Sequence, residues 1–242
     1  MVEIDVYKGL IYTLPKQPAK HHILNHNLPD KKQKWKRVEF PENWEDMTRE
    51  EQEAFAFEED RKCSEGSWFF NNGVPTYITG DHYHYITWFK IDSGYPDYRD
   101  RDRRWFYHWS LCEADPECLG QQYGKLRRDG YSYRVDSIIL NRARKTFDSN
   151  YGILSKTGED AEEMFHKLVH AFMEYPAFFK PQVKTAEDVK KELVFRTPQK
   201  KVSFNNRTTQ KELSLNTKIN WKNTKENAYD GTKQKIIAAD EA

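Results

Sequence analysis

No run of apolar residues in this chain approaches the roughly 20 that a membrane helix needs, so nothing in it reads as a membrane span. Net charge is nearly absent too. Thirty-nine basic side chains against 38 acidic ones leave +1, which says nothing about partners and turns attention to local charge. Cysteine is scarce, and three is an odd number that no complete disulfide framework uses. The start, Met1-Val-Glu-Ile-Asp5, is acidic and lacks the apolar stretch of a signal peptide. The expectation is therefore a soluble protein in a reducing, cytosolic setting. Internal repeats and low-complexity tracts are also missing.

Hydrophobic residues are few, at 37% with a mean hydropathy of −0.97, and 32% of the chain is charged. Those figures alone suit a disordered chain. The aromatic content argues otherwise: seven Trp, 14 Tyr and 14 Phe, of which 14 fall between Trp68 and Trp109. The core there is expected to be aromatic rather than aliphatic. A chain of 242 residues has room for one large domain or two small ones.

Composition shifts suggest three segments. Residues 1–66 begin polar and are punctuated by Pro15, Pro18, Pro29 and Pro41, which suits an extended arm or a loosely packed cap. The same segment ends in a helix from Thr48 to Lys62 that stops before Gly66. Residues 67–120 hold the aromatics. There, alternation over Val74–Thr79 and Tyr83–Ile91 around Gly80-Asp81 predicts a β-hairpin, and Asp100–Leu111 a helix. Residues 121–242 read as strand, loop, helix, strand, helix. Val135, Ile138, Ile139 and Ala143 share one helix face, and Tyr151–Ser155 is a short strand. Thr157 caps a helix whose Ala161, Met164, Phe165, Leu168, Val169 and Phe172 form a core stripe ending before Pro176. Short β segments over 182–230 precede a terminal apolar strand. Such alternation implies a parallel α/β sheet with ligands at the carboxyl ends of its strands.

Chemistry concentrates in two places. Ile236-Ile-Ala-Ala-Asp240-Glu241-Ala242 is an apolar run ending in adjacent carboxylates, the arrangement by which a buried strand delivers acids to a sheet edge. About a hundred residues earlier, Lys125-Leu126-Arg127-Arg128-Asp129-Gly130-Tyr131-Ser132 is a degenerate form of the phosphate loop G-x-x-x-x-G-K-[ST]. Gly130 and Ser132 sit where that pattern wants them, but Tyr131 takes the Lys position and Lys125 the first Gly. The missing cation has three replacements in the loop: Lys125, Arg127 and Arg128. From Lys125 to Lys145 there are seven basic residues against Asp129 and Asp136, a patch suited to phosphates or, more blandly, a solvated helix face. Cys112-x5-Cys118 near His82, His84 and His108 fits no common zinc spacing, and buried structural thiols are the expectation.

The loop from Lys125 to Ser132 resembles the deviant phosphate loop of tailed-bacteriophage terminase large subunits, in some of which the loop begins with Lys and ends Gly-Tyr-Ser. Gly152-Ile-Leu-Ser-Lys-Thr157 resembles that family's second strand. Asp160-Ala161 with Met164-Phe165 resembles its next helix, and Pro176-Ala-Phe-Phe-Lys-Pro181 the close of that helix. Asn227-Ala-Tyr-Asp-Gly231, followed by Ile236 to Ala242, resembles the approach to its acidic Walker B strand. Tyr95-Pro-Asp-Tyr98-Arg99-Asp-Arg-Asp102 resembles its adenine-contacting segment, with Arg99 where Gln is usual. The resemblance spans roughly residues 67–242 and leaves residues 1–66 outside it.

The resemblance implies a P-loop NTPase of the ASCE type, a parallel sheet flanked by helices with an irregular N-terminal extension. The reading frame is expected to be truncated at the acidic strand, with a nuclease domain lying beyond it. It implies a motor that hydrolyses ATP with Mg²⁺ to drive double-stranded DNA into a procapsid in the host cell cytoplasm. A portal protein, a small terminase subunit and further copies of the chain would be its partners. Lys125, with Arg127 or Arg128, would neutralise phosphate charge, and Ser132 and Asp240 would hold Mg²⁺. Glu241 would orient the attacking water. Leu126, Asp129, Gly130 and Tyr131 would complete the loop, and Tyr98 and Arg99 would meet the nucleotide. Two other readings remain: a non-catalytic nucleic-acid-binding module with a decayed loop, and a helicase-like ATPase.

Overall fold

The computed structural model describes residues 2–124, 129–183, 189–195, 215–225 and 227–240. The protein is a mixed α/β fold. The chain divides into two compact units, Met1–Asp129 and Gly130–Ala242.

The first unit opens with a hairpin of β1 (Glu3–Tyr7) and β2 (Leu10–Thr13). Lys8 and Gly9 both take positive φ at its tip, as a two-residue turn of this hand requires. Val6, Leu14 and Ile23 are buried in one cluster with Trp68, Phe70, Tyr77 and Tyr107, and Tyr12 stacks on Tyr107 at 4.4 Å. Val6, Leu14 and Ile23 thus anchor this segment in the aromatic core, and Leu24 with Asn25 extends a sheet. Leu24 bridges Phe69, and Asn25 accepts from the Phe70 N–H (2.9 Å) while donating to its carbonyl (3.0 Å).

Helix α1 (Arg49–Glu65) starts from a capping box in which Thr48 and Glu51 each accept the other's main-chain N–H, and Gly66 ends it at φ 88°. Its Glu59 is buried, yet it accepts from Tyr83 (2.6 Å), Trp88 (3.1 Å) and Lys62 (2.8 Å), so the charge is satisfied. β3 (Ser67–Asn71) and β4 (Val74–Ile78) pair around Asn72-Gly73, both at positive φ. They are followed by α2 (Gly80–Thr87) and α3 (Asp100–Ala114).

This corrects the expected hairpin. The turn is Asn72-Gly73, and Gly80–Thr87 is helical because Thr79 accepts from the His82 N–H. All eight residues of α2 are buried, so no single face could show a helical period. A second correction concerns 121–124, read as the strand before the loop. These residues form no strand. Gln121 Nε2 lies 2.5 Å from His108 Nδ1, and Tyr123 meets Trp105 edge-on, so the segment is folded along α3. Of the thiols, only Cys63 is buried, and Cys112 and Cys118 are half-buried.

The second unit runs α4 (Tyr131–Ala143), β5 (Asn150–Ser155), α5 (Gly158–Met173), β6 (Glu192–Phe195), β7 (Thr217–Asn223) and β8 (Ile236–Asp240). Its sheet has the order β6-β7-β5-β8. β5 is parallel to both β7 and β8, while β6 joins antiparallel. Helices α4 and α5 pack on each other and on the sheet, and the expected apolar stripe of α5 is buried except at Val169, which is half-buried. Gly152 in β5 faces the Tyr229 ring, and a Cβ there would stand 2.6 Å from it. No helix among the described residues is long and apolar enough to cross a membrane.

Candidate functional site

Strand alternation decides where the acid of β8 points. Ala238 and Asp240 are 3% and 9% exposed, whereas Ile237 (46%) and Ala239, which alternate with them, are exposed, so Asp240 faces inward at the carboxyl end of the strand. Register sets Ser155 of β5 beside it, and Ser155 Oγ donates to the Asp240 carbonyl at 2.8 Å.

Helix α4 begins close to the same point. Gly130 takes the left-handed conformation, φ 79° and ψ 16°, where a side chain is strained, and the helix starts at the next residue. Among the described residues no side chain caps its first turn, and the turn itself holds no acid, so its positive end faces no acid of its own helix. One residue in, Ser132 Oγ donates to Asp240 Oδ2 at 2.6 Å, joining positions 108 residues apart. Tyr131 is half-buried, and burial, then the Asp240 charge, raises its hydroxyl.

A turn further along α4, Asp136 is fully buried, and neither carboxyl oxygen has a hydrogen-bond partner among the described residues. Burial pushes this carboxyl well above the ordinary carboxylate range; Lys167 opposes the shift and Asp240 adds to it. Arg134 is also fully buried, so this helix is not the solvated basic face that composition allowed. Asp136 and Ser155 were missed in the sequence. The available signal for Asp136 was its place on the apolar face with Val135 and Ile139, a core position for an acid.

The oxygen set suits a small hard cation. Among the described residues no group of three or more His, Cys, Asp or Glu side chains could hold a metal. A hydroxyl and a carboxylate already bonded to each other are nonetheless the kind of limited protein set that Mg²⁺ takes when water and phosphate fill the rest of its shell.

The other expected site residues belong to the first unit or lie outside the described residues. Lys125, Leu126, Arg127, Arg128 and Glu241 lie outside the described residues. Asp129 belongs to the first unit and is 2.6 Å from Arg101, its side chain 3% exposed, so it serves an ion pair there. Tyr98, also in the first unit, donates to Asp100 Oδ1 at 2.7 Å. Its ring stacks on His82 and meets Phe69 edge-on. Arg99 is exposed at the start of α3.

Compared with models of protein families and with curated proteins, the chain matches none.

Proposed function

We propose that the second unit is the nucleotide-hydrolysing portion of a P-loop motor ATPase of the kind found in phage terminase large subunits. The observation that carries this reading is the hydrogen bond from Ser132 to Asp240. It couples the first turn of the helix after a basic loop to the acid at the end of a parallel strand. That is the pairing expected of the hydroxyl and carboxylate that share one cation. The uncapped start of α4 adds a place for a phosphate.

In this reading Ser132 and Asp240 would hold Mg²⁺. The ion's role is to offset charge on the β- and γ-phosphates. Lys125, helped by Arg127 or Arg128, neutralises phosphate charge from the start of the loop. Glu241 orients the water that attacks the γ-phosphate in line. The substrate to be moved is double-stranded DNA, held through its phosphates and hence with strong salt dependence. A portal protein, a small subunit and further copies of the chain are the expected partners, in the host cytoplasm.

Steady-state ATP turnover tests the reading. Lys125→Ala and Glu241→Gln are each expected to lower the rate at least tenfold, about 1.4 kcal/mol of transition-state stabilisation. Full turnover in both variants would sink it. One observation favours a second reading. The coil at 121–124 leaves the loop without the strand that ordinarily leads into it, which suits a nucleic-acid-binding module that binds phosphate without hydrolysis.

A further inference from the structure

The carboxyl edge of the second unit's sheet carries another feature. An open cleft of about 760 Å³ lies where β7 ends and α5 begins. Its two sides differ in charge. The first turns of α5 contribute Glu159 and Glu162; β7, the turn after it and the residue before β6 contribute Trp221, Lys222, Lys225 and Lys191. The sides come close at Gly158, where Asn223 Oδ1 lies in the space a Cβ would take.

Trp221 is placed by period-two alternation. Thr217 and Ile219 are buried against the helices, and Trp221 continues that face to the point where α5 starts. Its Nε1 donates to the Lys190 carbonyl at 3.0 Å, which fixes the indole, and no ring stacks on it among the described residues. Lys191 and Lys225 are exposed and make no ion pair among the described residues. Lys222 sits 4.7 Å from the Tyr229 ring centroid, with no carboxylate partner. Glu159 is likewise unpaired, and Glu162 is 3.7 Å from His166.

A fixed aromatic face, two uncommitted lysines with Lys222 beside them, and facing carboxylates match the three parts of one ligand. We infer that this cleft binds an unpaired nucleobase and its flanking phosphates, as a single-stranded nucleic acid presents them. Trp221 stacks on the base, the lysines meet backbone phosphates, and Glu159 or Glu162 accepts from an amino group on the base edge. A duplex hides its base faces and pairing edges and is excluded. The site is independent of ATP hydrolysis.

Fluorescence anisotropy with a labelled oligo(dC) of about 20 nucleotides, without ATP, tests this on the whole chain. Trp221→Ala is expected to weaken binding about tenfold or more, with Trp221→Phe close to wild type. Lys191→Glu with Lys225→Glu, both at exposed positions that leave the fold intact, is expected to weaken it and flatten its salt dependence. The matching duplex should compete poorly. Wild-type affinity in the lysine variant, or a duplex that competes as well as the single strand, overturns the proposal. So does a Trp221→Phe protein as weak as Trp221→Ala.

Discussion

Asp136 occupies a position that packing does not explain and that is costly for a charged carboxylate. A carboxyl with no exposed surface and no hydrogen bond among the described residues stays in the core by keeping its proton. Its folded pKa is raised, so the native state holds a proton that the unfolded chain gives up above about pH 3.9. Stability must therefore fall as pH rises from there toward the folded pKa. Asp136→Asn removes that dependence. Its advantage over wild type in urea unfolding is expected to be smallest near pH 4 and to grow toward neutrality. A gap that does not change with pH would mean that Asp136 is ionised in the fold. The same residue marks a limit of the sequence. Ser132 and Asp240 stand out in the sequence because the degenerate loop pattern and the apolar run each fix a position, and the structure brings the two side chains into hydrogen-bond contact. An acid within a basic run looks solvated until the helix face is known.

Among the elements, those with a local start signal were legible. Thr48 with Glu51 and Thr157 with Asp160 mark the first turns of α1 and α5, and the apolar stripe of α5 sets its buried face. Helix α2 was not legible, because burial on every side erases the period and leaves chance alternation that imitates a strand. The segment 121–124 failed for a different reason. Side-chain contacts from Gln121 and Tyr123 to α3 outcompeted strand formation, and nothing local announces them. In β5 the decisive contact is also non-local, between Gly152 and Tyr229, whose hydroxyl donates to Asn220 Oδ1 at 2.9 Å. Gly152→Val is expected to lower unfolding free energy by about 1–3 kcal/mol through overpacking, with Tyr229→Ala recovering part of the loss in the double variant. Wild-type stability in the single variant would show that β5 does not hold the ring against it.

For the whole molecule, a net charge of +1 supplies no net attraction for nucleic acid or nucleotide, so the proposed binding must rest on local groups. The second unit concentrates them at one edge of its sheet, where the parallel strands end and both helices begin. The central claim is that Ser132 and Asp240 hold a cation for a bound nucleotide, and calorimetric titration of ATP with and without Mg²⁺ tests it most directly. The expected result is Mg²⁺-dependent binding that weakens at least tenfold, about 1.4 kcal/mol, in both Ser132→Ala and Asp240→Asn. Folded wild-type protein that binds no ATP, or binds it equally well without Mg²⁺, would contradict it.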